Sequence, residues 1–384
     1  MEKNTAMVID STVLSGYKSL DDLGYLMGGV RKALFVSDAN IMAIAGVQTL
    51  LENVRRHAGQ VLVIDAIPPE PADADVRRIG EQFDLSGVDM VVGVGGGSVL
   101  DVAKLLAALS HPQSPTLAQL LAGEKVTQRV KSLLVPTTAG TGSEATPNAI
   151  LAIPARQTKQ GIISPALLPD YVVLAPELTV TMPHKIAAST GVDALCHLIE
   201  CFTATVANPV SDNYAMIGMK KLFENIELSV RQPSNLEARL NMLWASYYGG
   251  ACIAHAGTHL VHAMSYPLGG KYHIPHGVAN AILLAPCFEW VRPLAVAKLA
   301  RAYELIPGAE MSLDDDAKSH ALVQYFAELV RRLKLPSSLQ ELGIGREHLP
   351  DLVKAALDVQ RLIKNVPGAV GAADIEQVYL KLFH

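Results

Sequence analysis

The sequence lacks several features that mark common classes of protein. Only four of its 384 residues are cysteines and no Cys-x-x-Cys pair occurs, which argues against a disulfide framework and fits a cytoplasmic protein with reduced thiols. Lys and Arg number 32 against 37 Asp and Glu, so there is none of the basic bias that nucleic-acid-binding surfaces usually have. The longest nearly uncharged region, residues 132–155, contains Gly and Pro throughout and predicts no membrane span. We therefore expect neither nucleic acid nor a membrane as a partner.

The remaining composition is that of a compact globular protein. Half of the residues are hydrophobic and 18% are charged. A chain of 384 residues is too long for one typical core, so two domains are expected. Residues 1–5 do not open a basic segment followed by an apolar one, so no signal peptide is predicted.

The first half of the chain alternates short apolar runs with amphipathic stretches. The runs are rich in Val, Ile and Leu, and they predict strands at 33–37, 61–66, 90–94 and 132–136, with two or three more extended segments in 148–176. Helical stretches at 41–55 and 99–108 lie between them. Apolar strands separated by helices indicate a parallel sheet covered on both faces. This predicts an α/β, Rossmann-like domain over residues 1–180.

Helical periodicity dominates from Pro183 onward. It predicts helices over roughly 184–203, 209–230, 234–255, 312–334, 346–364 and 372–383. The second domain, residues 181–384, is therefore expected to be all-α. A ligand is expected in a cleft between the two domains.

A glycine-rich turn follows the predicted strand at 90–94. Glycines have no Cβ, so the amides of Gly95, Gly96 and Gly97 can approach an anion closely, and the helix that opens at Ser98 presents free N–H groups. The turn therefore predicts a phosphate-binding site. It departs from the full Gly-x-Gly-x-x-Gly pattern, and an ordinary tight turn is the alternative.

Two further signals favour a nucleotide. The stretch 136–144 directly follows a strand, and its hydroxyls, from Thr137, Thr138 and Thr141 among others, suit a phosphate or a ribose. Asp38 follows the first predicted strand, where an acid can hold the ribose diol and repel a 2′-phosphate, which favours NAD over NADP. Asp38 precedes the glycines instead of following them, so an Asp that caps the next helix is the alternative.

The spacing of Asp193 and His197 suggests a metal site. Residues four apart on a helix leave the same face, so both side chains can reach one ion. Their neighbours are mostly apolar, which argues against the alternative of a solvent-exposed Asp–His hydrogen bond. A buried carboxylate needs a partner.

A cluster of histidines supplies the other candidate ligands. Residues 255–276 hold five of the 12 histidines, and His262 and His276 are the two that we favour. Gly269 and Gly270 are predicted to form a turn that breaks the helix between them. One carboxylate and three imidazoles suit Fe(II) or zinc.

Four motifs occur in a specific order along the chain. They are Gly95-Gly96-Gly97-Ser98 with Asp101 and Lys104, the stretch from Pro136 to Glu144, Asp193-Ala194-Leu195 with His197 and Glu200, and His262-Ala263-Met264 leading to Pro275-His276-Gly277. In this order and spacing the chain resembles the iron-containing (group III) alcohol dehydrogenases over essentially its whole length.

The resemblance implies a dinucleotide-binding α/β domain followed by an all-α metal-binding domain. It implies a metal held by Asp193, His197, His262 and His276. It also assigns the nucleotide contacts: the glycine turn would bind the pyrophosphate, Thr138, Thr141 and Lys159 would touch the nucleotide, and Asp38 would select NAD. Members are usually dimers or larger, so a homodimer or higher homo-oligomer is expected.

The sequence departs from the family pattern near the metal motifs. Many members carry a second His four residues after the position of His262, commonly held to relay protons or contact the nicotinamide, and here that position is Tyr266. Either Tyr266 or His273 is expected to take its catalytic role. Glu70 also ends a Pro-Pro-Glu where many members have Pro-Asn-Pro.

The expected activity is reversible hydride transfer between a small primary alcohol or aldehyde and NAD(H), with Fe(II) or zinc polarising the substrate oxygen. A hydroxyacid–oxoacid transhydrogenase, suggested by Ser265-Tyr266-Pro267, is the nearest alternative. A cyclising lyase on the related dehydroquinate-synthase scaffold would need several basic residues near the metal motifs, where chiefly Lys271 occurs. A non-enzymatic NAD sensor would not need four converging ligands.

Overall fold

The computed structural model describes residues 11–20, 23–156 and 158–383; residues 1–5, where no signal peptide is predicted, lie outside them. The contacts divide the chain into two compact units. The first comprises the described residues of Met1–Thr138, Gly142–Met182 and Pro233–Leu243. The second comprises those of Ala139–Thr141, Pro183–Gln232 and Trp244–His384. A domain boundary near residue 180 stays a prediction.

The described residues of the first unit form eight strands. They are β1 (Thr12–Ser15), β2 (Lys32–Val36), β3 (Gln60–Ile64), β4 (Met90–Gly95), β5 (Lys131–Pro136), β6 (Asn148–Ile153), β7 (Thr158–Ile163) and β8 (Tyr171–Leu174). Six of them make one sheet in the order β1-β8-β5-β4-β2-β3, and every pairing in it is parallel. Strands β6 and β7 pair antiparallel as a separate hairpin. The predicted parallel sheet is confirmed.

Helices cover both faces of this sheet. They are α1 (Ala39–Met42), α2 (Ala45–His57), α3 (Asp73–Gln82), α4 (Gly97–Leu109) and α5 (Leu117–Leu121). Successive side chains of a strand point to opposite faces. Leu34 and Val36 of β2 accordingly pack with α4 in one hydrophobic cluster, while Ala33 and Phe35 pack with α2 in another. The helix predicted at 41–55 is in fact two, because Ile44 is extended between α1 and α2.

The rest of the chain is helical, as predicted. The helices are α6 (His184–Thr203), α7 (Pro209–Arg231), α8 (Leu236–His255), α9 (Leu260–Tyr272), α10 (His276–Val291), α11 (Val296–Tyr303), α12 (Asp315–Arg332), α13 (Leu349–Leu357), α14 (Gln360–Ile363) and α15 (Ala372–Leu380). The single helix predicted at 346–364 is divided into α13 and α14. Helices α9 to α11 were not delimited by the periodicity.

The predicted break at Gly269 and Gly270 is wrong. Helix α9 continues through both glycines to Tyr272 and ends at His273, whose φ of 56° is left-handed. A glycine inside a helix costs about 1 kcal/mol relative to alanine. Burial of apolar residues such as Val261 and Leu268 outweighs that cost. The interruption between α9 and α10 is therefore at 273–275.

The fold also bears on the cysteines and on the question of a membrane-spanning helix. All four cysteines are buried and free, so they form no disulfide. No helix of the described residues combines the length and the apolar character that crossing a membrane requires.

Candidate active site

Three helices of the second unit bring the predicted metal ligands together. Helix α6 carries Asp193 and His197 one turn apart, α9 carries His262, and α10 begins at His276. One ligand atom from each residue lies within 4.8 Å of all the others. Asp193 Oδ1 is 3.6 Å from His197 Nε2, 3.7 Å from His262 Nε2 and 3.6 Å from His276 Nε2. We call these four residues the ligand cluster.

Hydrogen bonds behind the cluster orient two of its imidazoles. His197 Nδ1 lies 3.1 Å from the carbonyl oxygen of Gly140, which can only accept, so Nδ1 carries the proton. His262 Nδ1 bonds in the same way to Glu200 Oε2. In both rings the Nε2 lone pair is therefore directed at Asp193. Metal-binding histidines are generally held by this kind of contact.

The ligand cluster fits a divalent cation. Imidazole lone pairs facing a carboxylate repel it unless a proton or a cation lies among them. Burial disfavours the proton, since it lowers the pKa of His197 and lowers that of His262 to about 4. Ligand bonds of 2.0–2.2 Å in a tetrahedron put ligand atoms roughly 3.4 Å apart. The three distances from Asp193 Oδ1, 3.6–3.7 Å, are close to that spacing, and all four ligand atoms lie within 4.8 Å of one another.

Asn280 also contacts the ligand cluster. It lies one turn after His276 on α10, and its Nδ2 donates to Asp193 Oδ1 at 2.6 Å. The same nitrogen is 3.3 Å from His262 Nε2 and 3.2 Å from His276 Nε2. Asn280 therefore restrains the carboxylate of the cluster. Its spacing of four from His276 repeats that of Asp193 and His197, and this spacing is the sequence signal that predicts its position beside the cluster.

A fully buried polar network supports His262 from behind. Glu200 is wholly buried, and its Oε1 accepts hydrogen bonds from the backbone N–H groups of His259 and Val261 at 3.2 and 2.6 Å. His259 Nε2 contacts the hydroxyl of Thr203 at 2.9 Å. With both carboxylate oxygens engaged, Glu200 fixes the ring of His262. Glu200 belongs to one of the four sequence motifs, but the motif does not predict this role.

The two predicted catalytic residues differ in their positions. Tyr266 lies one turn after His262 on α9, and its ring centroid is 6.2 Å from that of His276. Its hydroxyl lies 3.4 Å from Arg361 Nη2. His273 is exposed at the C-terminal cap of α9 and is not part of the ligand cluster. The structure thus places the ring of Tyr266 next to a ligand.

In the first unit, the predicted nucleotide residues follow three neighbouring strands of the parallel sheet. Asp38 comes after β2, Gly95 to Ser98 span the end of β4 and the start of α4, and Thr137 comes after β5. Ligands of open parallel sheets bind at the carboxyl ends of the strands. Ser37 Oγ donates to the Val94 carbonyl at 2.8 Å and so ties two of these ends together.

The glycine turn packs closely on its own helix. A Cβ at Gly95 would lie 2.6 Å from Val99 Cβ, so only glycine fits there. Gly96 is the N-cap of α4 and Gly97 its first residue. The backbone N–H of Thr137 donates to the Gly95 carbonyl at 3.0 Å, and Thr137 Oγ1 is buried with no partner among the described residues. Open amides and an unused hydroxyl fit a bound phosphate or ribose.

A buried lysine fixes α4 against the loop that follows β5. Lys104 is 1% exposed, and its Nζ bonds the Ser143 carbonyl at 2.8 Å, the Thr146 hydroxyl at 3.1 Å and Asp101 at 3.0 Å. The adjacent Glu144 is buried too, and burial raises its pKa to about 7. Thr138 lies beside Gly96, and Thr141 falls among the residues of the second unit.

Asp38 and Lys159 both have partners within the protein. Asp38 Oδ1 caps α1 by accepting from Asn40 N at 2.9 Å and Ile41 N at 3.1 Å, as the capping alternative expects. Lys159 Nζ pairs with Glu70 Oε1 at 2.7 Å, and the backbone N–H of Glu70 donates to Ser98 Oγ at 3.3 Å. Lys159 is thereby connected to the glycine turn through Glu70.

These features define a class. A dinucleotide-type α/β sheet, together with a largely buried cluster of three histidines and one carboxylate, is typical of a metal-dependent oxidoreductase. Comparison with known proteins identifies the family. The model of the iron-containing alcohol dehydrogenases matches residues 10–176, and that of the C-terminal part of the Fe-containing alcohol dehydrogenase family matches residues 187–383.

Individual relatives agree with this assignment. The chain is 32% identical to long-chain-alcohol dehydrogenase 1 of Geobacillus thermodenitrificans, over 92% of this chain and 90% of that protein. It is 33% identical to 4-hydroxybutyrate dehydrogenase of Cupriavidus necator, over 91% and 92%. The solved structure of sulfoacetaldehyde reductase from Bifidobacterium kashiwanohense in complex with NAD+ superposes with a TM-score of 0.86 at 26% identity, covering 99% of both chains. The chain belongs to the iron-containing alcohol dehydrogenase family and is an oxidoreductase, as its motifs predicted.

Proposed function

We propose that the protein catalyses the reversible oxidation of a small primary alcohol by NAD. An alcohol and NAD+ give an aldehyde, NADH and one proton. Asp193, His197, His262 and His276 would hold the metal, Fe(II) or zinc. The observation that carries this proposal is the convergence of the four ligand atoms within 4.8 Å in a buried setting.

The protein's own residues prepare this site in three ways. When bound, the metal supplies Lewis-acid polarisation of the substrate oxygen, and NAD supplies the hydride acceptor. The Gly140 carbonyl and the Glu200 carboxylate hold two imidazoles in the tautomer that presents Nε2. One carboxylate among the ligands leaves a divalent ion with net positive charge. His276 is 32% exposed, against 6% or less for the other ligands, so substrate would enter from its side.

The nucleotide would lie at the carboxyl edge of the parallel sheet. The amides from Gly95 to Ser98 would bind the pyrophosphate, and Asp38 would accept from the ribose diol. The capping bonds of Asp38 use Oδ1, so Oδ2 has no partner among the described residues. Further contacts are proposed from Thr137, Thr138, Thr141 and Lys159.

Three finer proposals complete this function. Tyr266 is proposed to contact substrate or relay protons, with His273 as the alternative. The protein is proposed to act as a homodimer or higher homo-oligomer. Its proposed location is the cytoplasm, where its buried thiols would stay reduced.

One purification tests the central proposal. The protein is analysed for iron and zinc, then short primary alcohols, diols and hydroxy acids are screened for NADH formation. We expect one equivalent of metal per chain and turnover with at least one substrate. His262→Ala should lose both, whereas His320→Ala, a control on α12, should lose neither. Full activity of a metal-free His262→Ala protein would overturn the mechanism.

A transhydrogenase on the same fold is the second candidate. The observation that favours it is Tyr266 in place of a second histidine, with its hydroxyl directed at a guanidinium. This candidate predicts turnover of a hydroxy acid together with an oxo acid when no NAD is added. Product formation only with added NAD, and with a single organic substrate, would exclude it.

A further inference from the structure

We propose that Arg361 and Tyr266 form an anion-recognition pair beside the ligand cluster, so that the preferred substrate is an alcohol or aldehyde that carries a carboxylate. This inference rests on the proposed function, because it concerns the same site. It adds the class of substrate, which neither the ligand cluster nor the glycine turn specifies.

The first step is the position of Tyr266. It leaves α9 one turn after His262, and its ring lies 6.2 Å from the ring of His276 between centroids, at an interplanar angle of 51°. His276 is the most exposed of the four ligands. Tyr266 itself is half-buried. It therefore lies at the accessible side of the ligand cluster.

The second step is the state of Arg361. Its Nη2 donates to the Tyr266 hydroxyl at 3.4 Å, and no carboxylate among the described residues forms an ion pair with it. Arg129 and Arg332 show what other arginines of this chain do, since they pair with Asp170 and Glu227. A guanidinium has five N–H donors in a planar fork that matches a carboxylate. Arg361 leaves most of that capacity for a ligand.

The third step is the chemistry of the pair. A phenol oxygen that accepts from Arg361 still has its own O–H to donate. A carboxylate placed against the pair would then accept from the guanidinium and from Tyr266 together. Hydrogen bonds of this charge-assisted kind are roughly twice as strong as neutral ones. A histidine at this position would offer a ring nitrogen in place of the phenol.

Arg361 places a positive charge next to the Tyr266 hydroxyl. An anionic substrate group would offset this positive charge, whereas a neutral alcohol would not.

The spacing points to a carboxylate several carbons from the hydroxyl. The hydroxyl would face the ligand cluster, and one tyrosine ring separates His276 from the guanidinium. A short ω-hydroxy acid and the matching aldehyde acid span such a gap. A guanidinium also accepts sulfonates, so the experiment includes one.

The test compares substrates that share a hydroxyl and differ in charge. kcat/KM is measured for 4-hydroxybutyrate, for 3-hydroxypropane-1-sulfonate and for 1-butanol. In Arg361→Gln the ratio of 4-hydroxybutyrate to 1-butanol should fall by roughly 10- to 100-fold, the range expected when a charged hydrogen bond is lost. Arg361→Lys should recover part of it. Lys364→Gln removes a second exposed charge, three residues from Arg361 and outside the pair, and should leave the ratio within about twofold.

The outcomes separate this inference from the proposed function. An unchanged ratio in Arg361→Gln, or an equal fall in Lys364→Gln, would overturn it while alcohol oxidation stands. A preference for the sulfonate over the carboxylate would overturn the carboxylate assignment. If no alcohol is oxidised at all, the proposed function fails, and calorimetry of butyrate against butyramide on the metal-loaded protein decides the inference. Binding of butyrate that is lost in Arg361→Gln supports it, and equal binding of both compounds refutes it.

Discussion

The ligand cluster and the glycine turn differ in how their polar groups are held. Every ligand of the cluster lies on a helix, and three of the four side chains are almost fully buried. The residues predicted to bind the nucleotide follow strand ends, and several of them are engaged with the protein itself. Asp38 caps α1, and Lys159 pairs with Glu70.

The difference shows what each kind of site requires. A metal site needs ligand atoms fixed at a short separation before the ion arrives, which packed helices provide. A dinucleotide site binds mainly with backbone amides, and its side chains can exchange one partner for another. We therefore expect substitutions in the ligand cluster to have large effects, and those at the strand ends to have small ones.

The largest effect is expected when the cluster loses its only negative charge. Asp193→Asn keeps the side-chain shape but removes the anionic ligand. We expect substoichiometric metal and a fall in kcat/KM of at least roughly 10³-fold, because Lewis-acid stabilisation of several kcal/mol is lost. Asp351→Asn makes the same change at an exposed ion pair and serves as the control. Full metal content in Asp193→Asn, measured by elemental analysis, would contradict this prediction.

A smaller loss of metal affinity is expected when Glu200, which lies behind the cluster, is substituted. In Glu200→Gln the amide has one acceptor for three donors, the two backbone N–H groups and His262 Nδ1. If the NH2 group faces His262, the imidazole proton must move to Nε2, where the metal binds. We expect metal affinity to fall roughly 10- to 100-fold.

Chelator competition measures that affinity, and Thr203→Val is the matched control. It removes the contact to His259 in the same buried network without touching a ligand. Similar metal affinities for Glu200→Gln and Thr203→Val would reduce Glu200 to a general structural role. A selective loss in Glu200→Gln would confirm that it positions His262.

At the strand ends the corresponding change should be mild. Asp38→Asn keeps a side chain that caps α1 well, but it removes the charge that would repel a 2′-phosphate. We expect unchanged thermal stability. The ratio of kcat/KM with NADH to kcat/KM with NADPH should fall roughly tenfold. An unchanged ratio would leave Asp38 as a helix cap alone. Asp73→Asn, on α3, is the control for charge.

The last expected effect concerns the pH dependence of stability and leaves both sites unchanged. Burial raises the pKa of Glu144 from 4.5 to about 7, so the folded protein holds a proton that the unfolded chain releases. This contribution to stability is complete below pH 4.5 and is lost as the pH rises through 7, by at most about 3 kcal/mol. In Glu144→Gln the free energy of unfolding, measured with urea, should no longer decline between pH 5 and 8. Glu124→Gln, an exposed control, should retain it.

Local pattern was sufficient for much of the fold and for choosing four candidate ligands that the structure brings together. Alternation of apolar runs and helices predicted the parallel sheet, and the 184–203 helix agrees with the structure at both ends. Spacing by four placed Asp193 and His197 on one face, because that spacing is one helical turn. The same reasoning failed at Gly269 and Gly270, where tertiary burial outweighs the low helix propensity of glycine.

By itself the sequence determined which residues can be ligands and which turn can approach a phosphate, since both depend on neighbours a few positions away. Only the tertiary structure decided what holds them. The Gly140 carbonyl meets His197 across 57 residues, Glu200 meets His262 across 62, and Arg361 meets Tyr266 across 95. Such contacts are set by how helices pack, and no local periodicity encodes them.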